Sequence, residues 1–324
     1  MRALISVLFL ILPGFAQNPW RVVTINVPGA LETQVRGVNN YGEIVGFYRP
    51  SASVCLPEMV ANPQVPTCGT RGFKIVNGVL TKLHVPGATS TTITGVNDYG
   101  DLVGFYLKPE VGCPSGIYHG FVWYHQNAIK RLDFPNVTGF CGSDAGWTVP
   151  MGISRGGTVA GTIWDTYNGL PAGGFVWKEG VFHHMNVGWR GGCTYCNGVY
   201  GMSGMGMLVG TTWYTLEQIP LWTGFFKQAR DEDFFQMTQD DTYTTAVNDK
   251  TDIAGYGPYG NAFFAKHIEL NEGTNDAKEV QPYFIPLSAG MATYPYAMND
   301  QRVVVGAYYN EDGISHGFVA TPTF

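Results

Sequence analysis

The sequence predicts an all-β fold: a six-bladed β-propeller of four-stranded blades, with the last blade completed by the N-terminal strand. Three observations predict it. One motif recurs six times, each repeat has room for about four short strands, and the strand that the last repeat lacks stands at the N-terminus.

The motif copies are Asn39–Gly46, Asn97–Gly104, Ser154–Gly161, Ser203–Gly210, Asn248–Gly255 and Asn299–Gly306, beginning 58, 57, 49, 45 and 51 residues apart. Two residues before each copy stands a small residue: Gly37, Gly95, Gly152, Gly201, Ala246 or Ala297. A Gly-Phe or Ala-Phe pair follows each copy, ending at Phe73, Phe121, Phe175, Phe225, Phe263 and Phe318. Five copies then carry one more strand-like stretch, as at Leu80–Val85 and Ile129–Phe134, and the sixth does not. The missing stretch is found at Val22–Ala30, which reads like Leu80–Ala88, both closing on Val-Pro-Gly-Ala. A ring is completed by such a circular shift, whereas an open solenoid has no need of it.

In the second repeat the expected strands are Thr91–Val96, Leu102–Tyr106, Phe121–Tyr124 and Ile129–Phe134. The Asn-Asp-Tyr-Gly type turn between the first two suits a tight hairpin, because Asn, Asp and Gly tolerate positive φ and bond locally to backbone. The repeats start near 30, 88, 138, 191, 240 and 289, within a single domain expected over residues 17–324. Residues 1–16 read as a secretory signal peptide: Arg2, the apolar run Ala3–Leu12, then small residues at Gly14 and Ala16. That run is too short to span a bilayer, and no span is expected after the leader is removed.

Composition fits a turn-rich β protein, with 43 Gly, 14% aromatic and 14% charged residues. The net charge is −6 with no basic stripe, so nucleic acid is not an expected partner. The six cysteines are Cys55, Cys68, Cys113, Cys141, Cys193 and Cys196. In an exported chain an even count points to disulfides. The adjacent pairings would be Cys55 with Cys68, Cys113 with Cys141, and Cys193 with Cys196. Cys193 and Cys196 form a lone CxxC, and without a second ligand pair zinc is not expected. No metal and no cofactor are expected. Nucleophile-elbow, zinc-protease and phosphate-loop motifs are absent.

The pattern of a small residue, an Asn-Asn or Asn-Asp turn, a Val-Gly close, His-Gly-Phe at His119–Phe121 and His316–Phe318, and Val-Pro-Gly-Ala resembles bacterial extracellular HAF-repeat proteins. The resemblance spans essentially the whole mature chain and is strongest in repeats one, two and six. It implies export and a repeat-built β fold, and brings no catalytic residue with it.

In a four-stranded blade, the first-to-second and third-to-fourth links share one face. That first set is expected to be uniformly tight; the remaining links share the other face, where the long insertions 49–70, 107–118, 135–147, 188–199 and 214–221 and all six cysteines are expected. Long loops on one end of a rigid scaffold commonly build a binding site. The expected ligand-binding aromatics on this long-loop face are Trp147, Trp164, Trp189, Trp213 and Tyr106. The recurring aromatics Tyr48, Tyr106, Trp164, Trp213, Tyr256 and Tyr308 also suit packing between blades. His119 and His316 read as satisfied strand-edge residues. If there is catalysis, the pair to test is Asp144 and Asp165, since glycoside hydrolysis needs two carboxyl groups. The leading expectation is a secreted, monomeric recognition module for an extracellular glycan or protein. The rivals are a carbohydrate-active enzyme, hydrolase or lyase, on the same face, and a structural envelope or matrix protein.

Overall fold

A computed structural model of the chain describes residues 19–50, 69–135, 147–165, 170–185, 197–216, 219–228, 235–240, 242–257, 260–266, 283–285 and 292–323. Twenty-four strands form six four-stranded antiparallel sheets, the blades of a propeller. Blade one is β2 (Ala30–Val38), β3 (Ile44–Pro50), β4 (Arg71–Val76) and β5 (Val79–Leu83). Blade two is β6 (Ser90–Val96), β7 (Leu102–Glu110), β8 (Cys113–Trp123) and β9 (Ile129–Leu132). Blade three is β10 (Trp147–Ile153), β11 (Val159–Asp165), β12 (Leu170–Lys178) and β13 (Val181–Met185). Blade four is β14 (Asn197–Met202), β15 (Leu208–Leu216), β16 (Ile219–Lys227) and β17 (Phe235–Asp240). Blade five is β18 (Tyr243–Val247), β19 (Ile253–Tyr256), β20 (Ala262–Ala265) and β21 (Tyr283–Phe284). Blade six is β22 (Thr293–Met298), β23 (Val304–Tyr309), β24 (Ser315–Pro322) and, from the far end of the chain, β1 (Trp20–Ile25).

The closure expected from the sequence is present. Val22 lies opposite Ala320 and Ile25 opposite Gly317 in an antiparallel ladder. Trp20 anchors this strand by packing edge-on against Phe264 of blade five, centroids 5.2 Å apart. The Val-Pro-Gly-Ala segments are tight turns that feed the next blade. Ala30 and Ala88 donate their N–H to the carbonyls of Val27 and Val85, at 3.1 and 3.0 Å. Thr33 and Thr91 then accept the N–H of those same valines through Oγ1, both at 3.0 Å.

The innermost strands β2, β6, β10, β14, β18 and β22 together line the central channel. Convergence on an axis explains the small residue in each. A Cβ on Gly37 would stand 3.1 Å from Gly95 Cα in the next blade, and one on Gly201 would stand 2.3 Å from the Thr245 carbonyl oxygen. The register shifts by one residue at that point in every inner strand. The motif glycine has a different cause. Gly46 lies opposite Phe73, and its equivalents lie opposite the other five motif phenylalanines. A Cβ there would fall within about 2 Å of an inner-strand carbonyl oxygen, and at Gly46, Gly210, Gly255 and Gly306 it would crowd the Phe ring as well. The rings fill the blade cores, and burying each contributes roughly 1.5–3 kcal/mol.

The first motif residue stitches the blades together. Asn39 Oδ1 accepts the backbone N–H of Tyr41 and of Glu43, each at 3.0 Å, which fixes its own turn. Its Nδ2 donates to Glu43 Oε2 at 2.9 Å and to the Asn97 carbonyl of the next blade at 3.0 Å. Asn97 bonds likewise to the Ser154 carbonyl at 3.2 Å, and Asn248 to the Asn299 carbonyl at 3.2 Å. Asn299 closes the circle on the Asn39 carbonyl at 3.0 Å. Ser154 and Ser203 retain the acceptor role, taking the N–H of Thr158 and of Met207. There the seam is carried by backbone, Arg155 N–H to the Gly204 carbonyl at 2.9 Å.

Three expectations about the links need correction. The stretch 107–118 is mostly strand: β7 and β8 continue as a ladder to Glu110 opposite Cys113, turning at 111–112. The expected insertion at 214–221 is largely ladder too, with Leu216 opposite Ile219. The third-to-fourth links are not uniformly tight, since β20 and β21 are separated by residues 266–282. Alternation of apolar residues had marked where the chain leaves the core, but a twisted hairpin extends past the core while still pairing its backbone. Among the described residues no helix is long and apolar enough to cross a membrane.

Removing the stitch should be costly. Asn299→Ala abolishes an inter-blade bond and leaves two turn N–H groups without their acceptor, for a loss of about 2–3 kcal/mol in urea unfolding. Asn299→Ser, the choice the chain itself makes at 154 and 203, keeps the acceptor and should lose less.

Candidate functional site

The two ends of the channel differ. At the end served by the first-to-second links, the second residue of each turn points to the axis: Asn40, Asp98, Arg155, Gly204, Asp249 and Asp300. Asp98 accepts the backbone N–H and the Nδ2 of Asn40, at 2.9 and 3.0 Å. Arg155 reaches across, with Nε to Asp98 at 2.8 Å and Nη2 to Asp249 and Asp300 at 2.6 and 3.0 Å. One guanidinium thus ties blades two, three, five and six at the mouth. Burial pushes the Asp98 carboxyl up, but hydrogen bonds from Asn40 and Arg155 outweigh it and hold it below the usual 3.8. Asp101 is likewise held below 3.8: burial acts upward, and bonds from the His125 backbone and ring and from Asn97 prevail.

The opposite end is lined by Arg36, Thr94, Met151, Tyr200, Thr245 and Tyr296 around an empty volume of about 320 Å³. These are the residues just before the small inner-strand position. Strand alternation places the residues two earlier on the same side, nearer the rim. Blades four to six put aromatic rings there. Trp222 stacks on Tyr243 at 5.8 Å, and Tyr243 on Tyr256 at 4.8 Å with planes 9° apart. Tyr256 then meets Tyr294 edge-on at 4.9 Å, and Tyr294 meets Tyr309 at 5.7 Å. Trp222, Tyr243, Tyr294 and Tyr309 are only partly buried, so the arc reaches solvent at its edges.

Polar groups of blades six and one continue the arc. Gln34 donates through Nε2 to Tyr309 Oη and to Ser315 Oγ, both at 3.2 Å. Its Oε1 accepts from Arg36 Nη2 at 2.7 Å, and that guanidinium lies 3.6 Å from the centre of the Tyr296 ring. Glu32 pairs with Arg49 at 2.6 Å. Burial pushes the Glu32 carboxyl above 4.5, and Arg49 offsets only part of that. Burial also pushes the phenols of Tyr294, Tyr296 and Tyr309 up from 10. Gln34 and Arg36 are themselves buried and bonded within the protein, so what this rim presents is the partly buried rings of Trp222, Tyr243, Tyr294 and Tyr309. Its raised phenols offer no phenolate for proton abstraction.

Of the residues singled out from the sequence, Trp147, Trp164 and Tyr106 lie in blade seams. Trp147 and Trp164 lie opposite each other on β10 and β11, each 6% exposed, packed with Phe105 and Tyr200. The Tyr118 ring sits edge-on to Trp147 at 3.8 Å. Tyr106, 8% exposed, packs on Phe121 and on the ring of His119. These three therefore fill blade seams in this structure and present little surface to a ligand. Trp213 lies opposite Trp222 on β15, and Asp165 ends β11 opposite Leu170; their side chains are outside the described set. Trp189, Asp144, Cys55, Cys68, Cys141, Cys193 and Cys196 lie outside the described residues. Cys113 is buried and disulfide-bonded.

His119 is fully buried and satisfied, Nδ1 by Asp133 and Nε2 by Glu110, each at 3.1 Å. Arg131 ion-pairs with both carboxylates. His316 places Nδ1 2.9 Å from Asn26 Oδ1. Both histidines thus tie a third strand to its neighbours. No group of three or more metal-ligating side chains occurs among the described residues.

Of the arc, sequence reasoning named Tyr256, and it expected the long-loop end on which the arc lies; it missed Tyr243, Tyr294, Tyr309 and the Arg155 clamp. Position by position, the rim residues run Gln34, Thr92, Val149, Gly198, Tyr243 and Tyr294, with no type common to all six.

The chain matches no family model and no curated protein. Among solved structures it is similar to a triple arginine-to-alanine mutant of AofleA from Arthrobotrys oligospora, over 93% of this chain and 92% of that one. Identity is 8% and the TM-score 0.43, so the propeller assignment rests on the six sheets themselves.

The depressed carboxyls set a pH test. Asp98 and Asp101 contribute stability that is present above pH 3.8 and lost as pH falls through their lower folded values. Glu32 has the opposite sign, favouring the fold on the acid side and losing that as pH rises through its folded value. The net expectation is acid loss governed by the two aspartates. Thermal melts from pH 2 to 5 should show a flatter acid limb in Asp98→Asn than in the parent chain.

Proposed function

We propose that this propeller is an exported recognition module that binds a glycan through the channel end lined by Tyr243, Tyr294 and Tyr309. The carrying observation is the arc from Trp222 to Tyr309, whose partly buried rings reach solvent at its edges. Aromatic surface that also carries phenol hydroxyls suits sugar rings with their hydroxyls.

Catalysis fits less well. Glycoside hydrolysis needs two carboxyl groups across the bond, and the carboxylate brought to the arc, Glu32, is engaged by Arg49. A lyase would need a base, and the raised phenols are poorly suited. Membership of the HAF-repeat group, the leader at 1–16 and the pairing of Cys113 with Cys141 belong to the same proposal and agree with an extracellular setting.

A glycan array on the purified chain tests this reading. It expects at least one oligosaccharide whose binding falls about tenfold, or 1.4 kcal/mol, in Tyr294→Phe, which keeps the ring contacts and removes the hydroxyl. A full array without a binder, or binding indifferent to Tyr294→Phe and Trp222→Ala together, would reject it.

A further inference from the structure

The aromatic rim is lopsided, and its shape bears on the kind of glycan it takes. The rings from Trp222 to Tyr309 cross three blades: Trp222 on β16, Tyr243 and Tyr256 on β18 and β19, Tyr294 and Tyr309 on β22 and β23. Their centroids advance in steps of 5.8, 4.8, 4.9 and 5.7 Å. The inner-strand positions equivalent to Tyr243 and Tyr294 hold Thr92, Val149 and Gly198 in blades two, three and four, so the shelf is not continued there.

Two features rule against a site that encloses one sugar. The channel behind the arc is lined by Arg36, Met151, Tyr200 and Tyr296, each less than a tenth exposed, and gives a sugar entering along the axis little surface to touch. The ring faces are also spent on one another. Tyr243 and Tyr256 stack with planes 9° apart, Trp222 stacks on Tyr243, and the next two contacts are edge-on. What remains for a ligand is a shallow, stepped line of ring edges and phenols. A single sugar on such a shelf touches one or two rings and keeps most of its surface in water, which supports only weak binding. A chain collects the contacts of successive steps while losing its translational and rotational freedom once. Each step between rings is comparable to the advance of a linear glycan per sugar residue.

We propose that the arc holds an internal stretch of a linear glycan, three or more consecutive sugar residues laid from blade four to blade six, and does not read a terminal sugar. This rests on the glycan reading above and narrows it to a class of ligand: a polysaccharide chain gripped along its length.

The test is calorimetric titration of the full chain with cello-, xylo-, manno-, laminari- and chito-oligosaccharides of one to six residues, beside branched glycans ending in galactose, fucose or sialic acid. In at least one linear series, affinity should rise roughly three- to tenfold per added residue up to about four residues, then level off. Capping the non-reducing end of the hexasaccharide should leave its affinity unchanged. Trp222→Ala, at the blade-four end of the shelf, should make the series level off one residue earlier, with thermal melts confirming that the variant folds. The length series of the parent chain is decisive without any variant. The proposal is overturned, with the glycan reading intact, if a monosaccharide or a branched terminus binds as tightly as any chain, if only branched glycans bind, or if capping abolishes binding. A length series unaltered by both Trp222→Ala and Tyr294→Phe places the chain elsewhere and overturns it as well. No binding by any of these sugars sinks this proposal and counts against the glycan reading with it.

Discussion

Six strands meeting on one axis leave no room for side chains and few partners for backbone, and the ring of turn amides resolves both difficulties. Each Asn at the first motif position spends its carbonyl on its own turn and its amide on the next blade's backbone. An ionised Asp has no donor for the second task, and Ser154 and Ser203 serve here as turn acceptors while backbone makes the seam between them. The same residue therefore makes a hairpin tight and makes neighbouring hairpins adjacent. Closure depends on it directly, because the last Asn bonds back to the first blade across 260 residues of sequence. The N-terminal strand completes the sheet of blade six, but the amide ring is what sets blade six beside blade one.

That ring also divides the molecule into two ends with different physics. On its side, charges are paired in a fixed network, and Arg155 occupies the axis with three carboxylates around it. On the far side the inner strands begin instead of ending, and nothing requires the six blades to present the same residue. Tyrosines there pack against each other in a chain, which holds their rings in place and leaves the partly buried ones reaching solvent at their edges. Burial keeps the phenols of Tyr294 and Tyr309 protonated. A rim of this kind recognises shape and oxygen atoms without needing charge of its own.

The fold was legible in the sequence because its causes recur. Gly46 and its five equivalents are glycine for one steric reason, and each Phe opposite is there for one packing reason. The displaced Val22–Ala30 segment announced closure in the same way. The aromatics after the motif glycine were legible as seam packing for the same reason, and Tyr48 and Tyr106 are buried accordingly. Two kinds of feature were not legible. The ladder from Leu107 to Glu110 carries polar and apolar residues alike, because a hairpin beyond the core is held by backbone pairing, which leaves no side-chain pattern. The partnership of Gln34 with Tyr309 joins residues 275 apart, and no local pattern encodes it.

This contrast gives a general handle on repeat proteins of this type. Where six equivalent positions agree, the common cause is the ring, and changing one residue tests stability. Where they disagree, geometry has released the position, and its residue reflects something outside the ring. The inner-strand positions facing the open mouth vary in size and charge, from Thr94 and Thr245 to Met151, Tyr200, Tyr296 and Arg36. Thr94 and Thr245 turn their hydroxyls onto the carbonyls of Pro150 and Pro295, which leaves the mouth to the larger residues beside them. Chance variation would scatter aromatics over all six blades. Here Tyr243, Tyr294 and Tyr296 stand in consecutive blades beside Arg36 and Gln34, so the irregularity is itself organised. That organisation, more than the exposure of any one ring, is what marks this rim as a working surface.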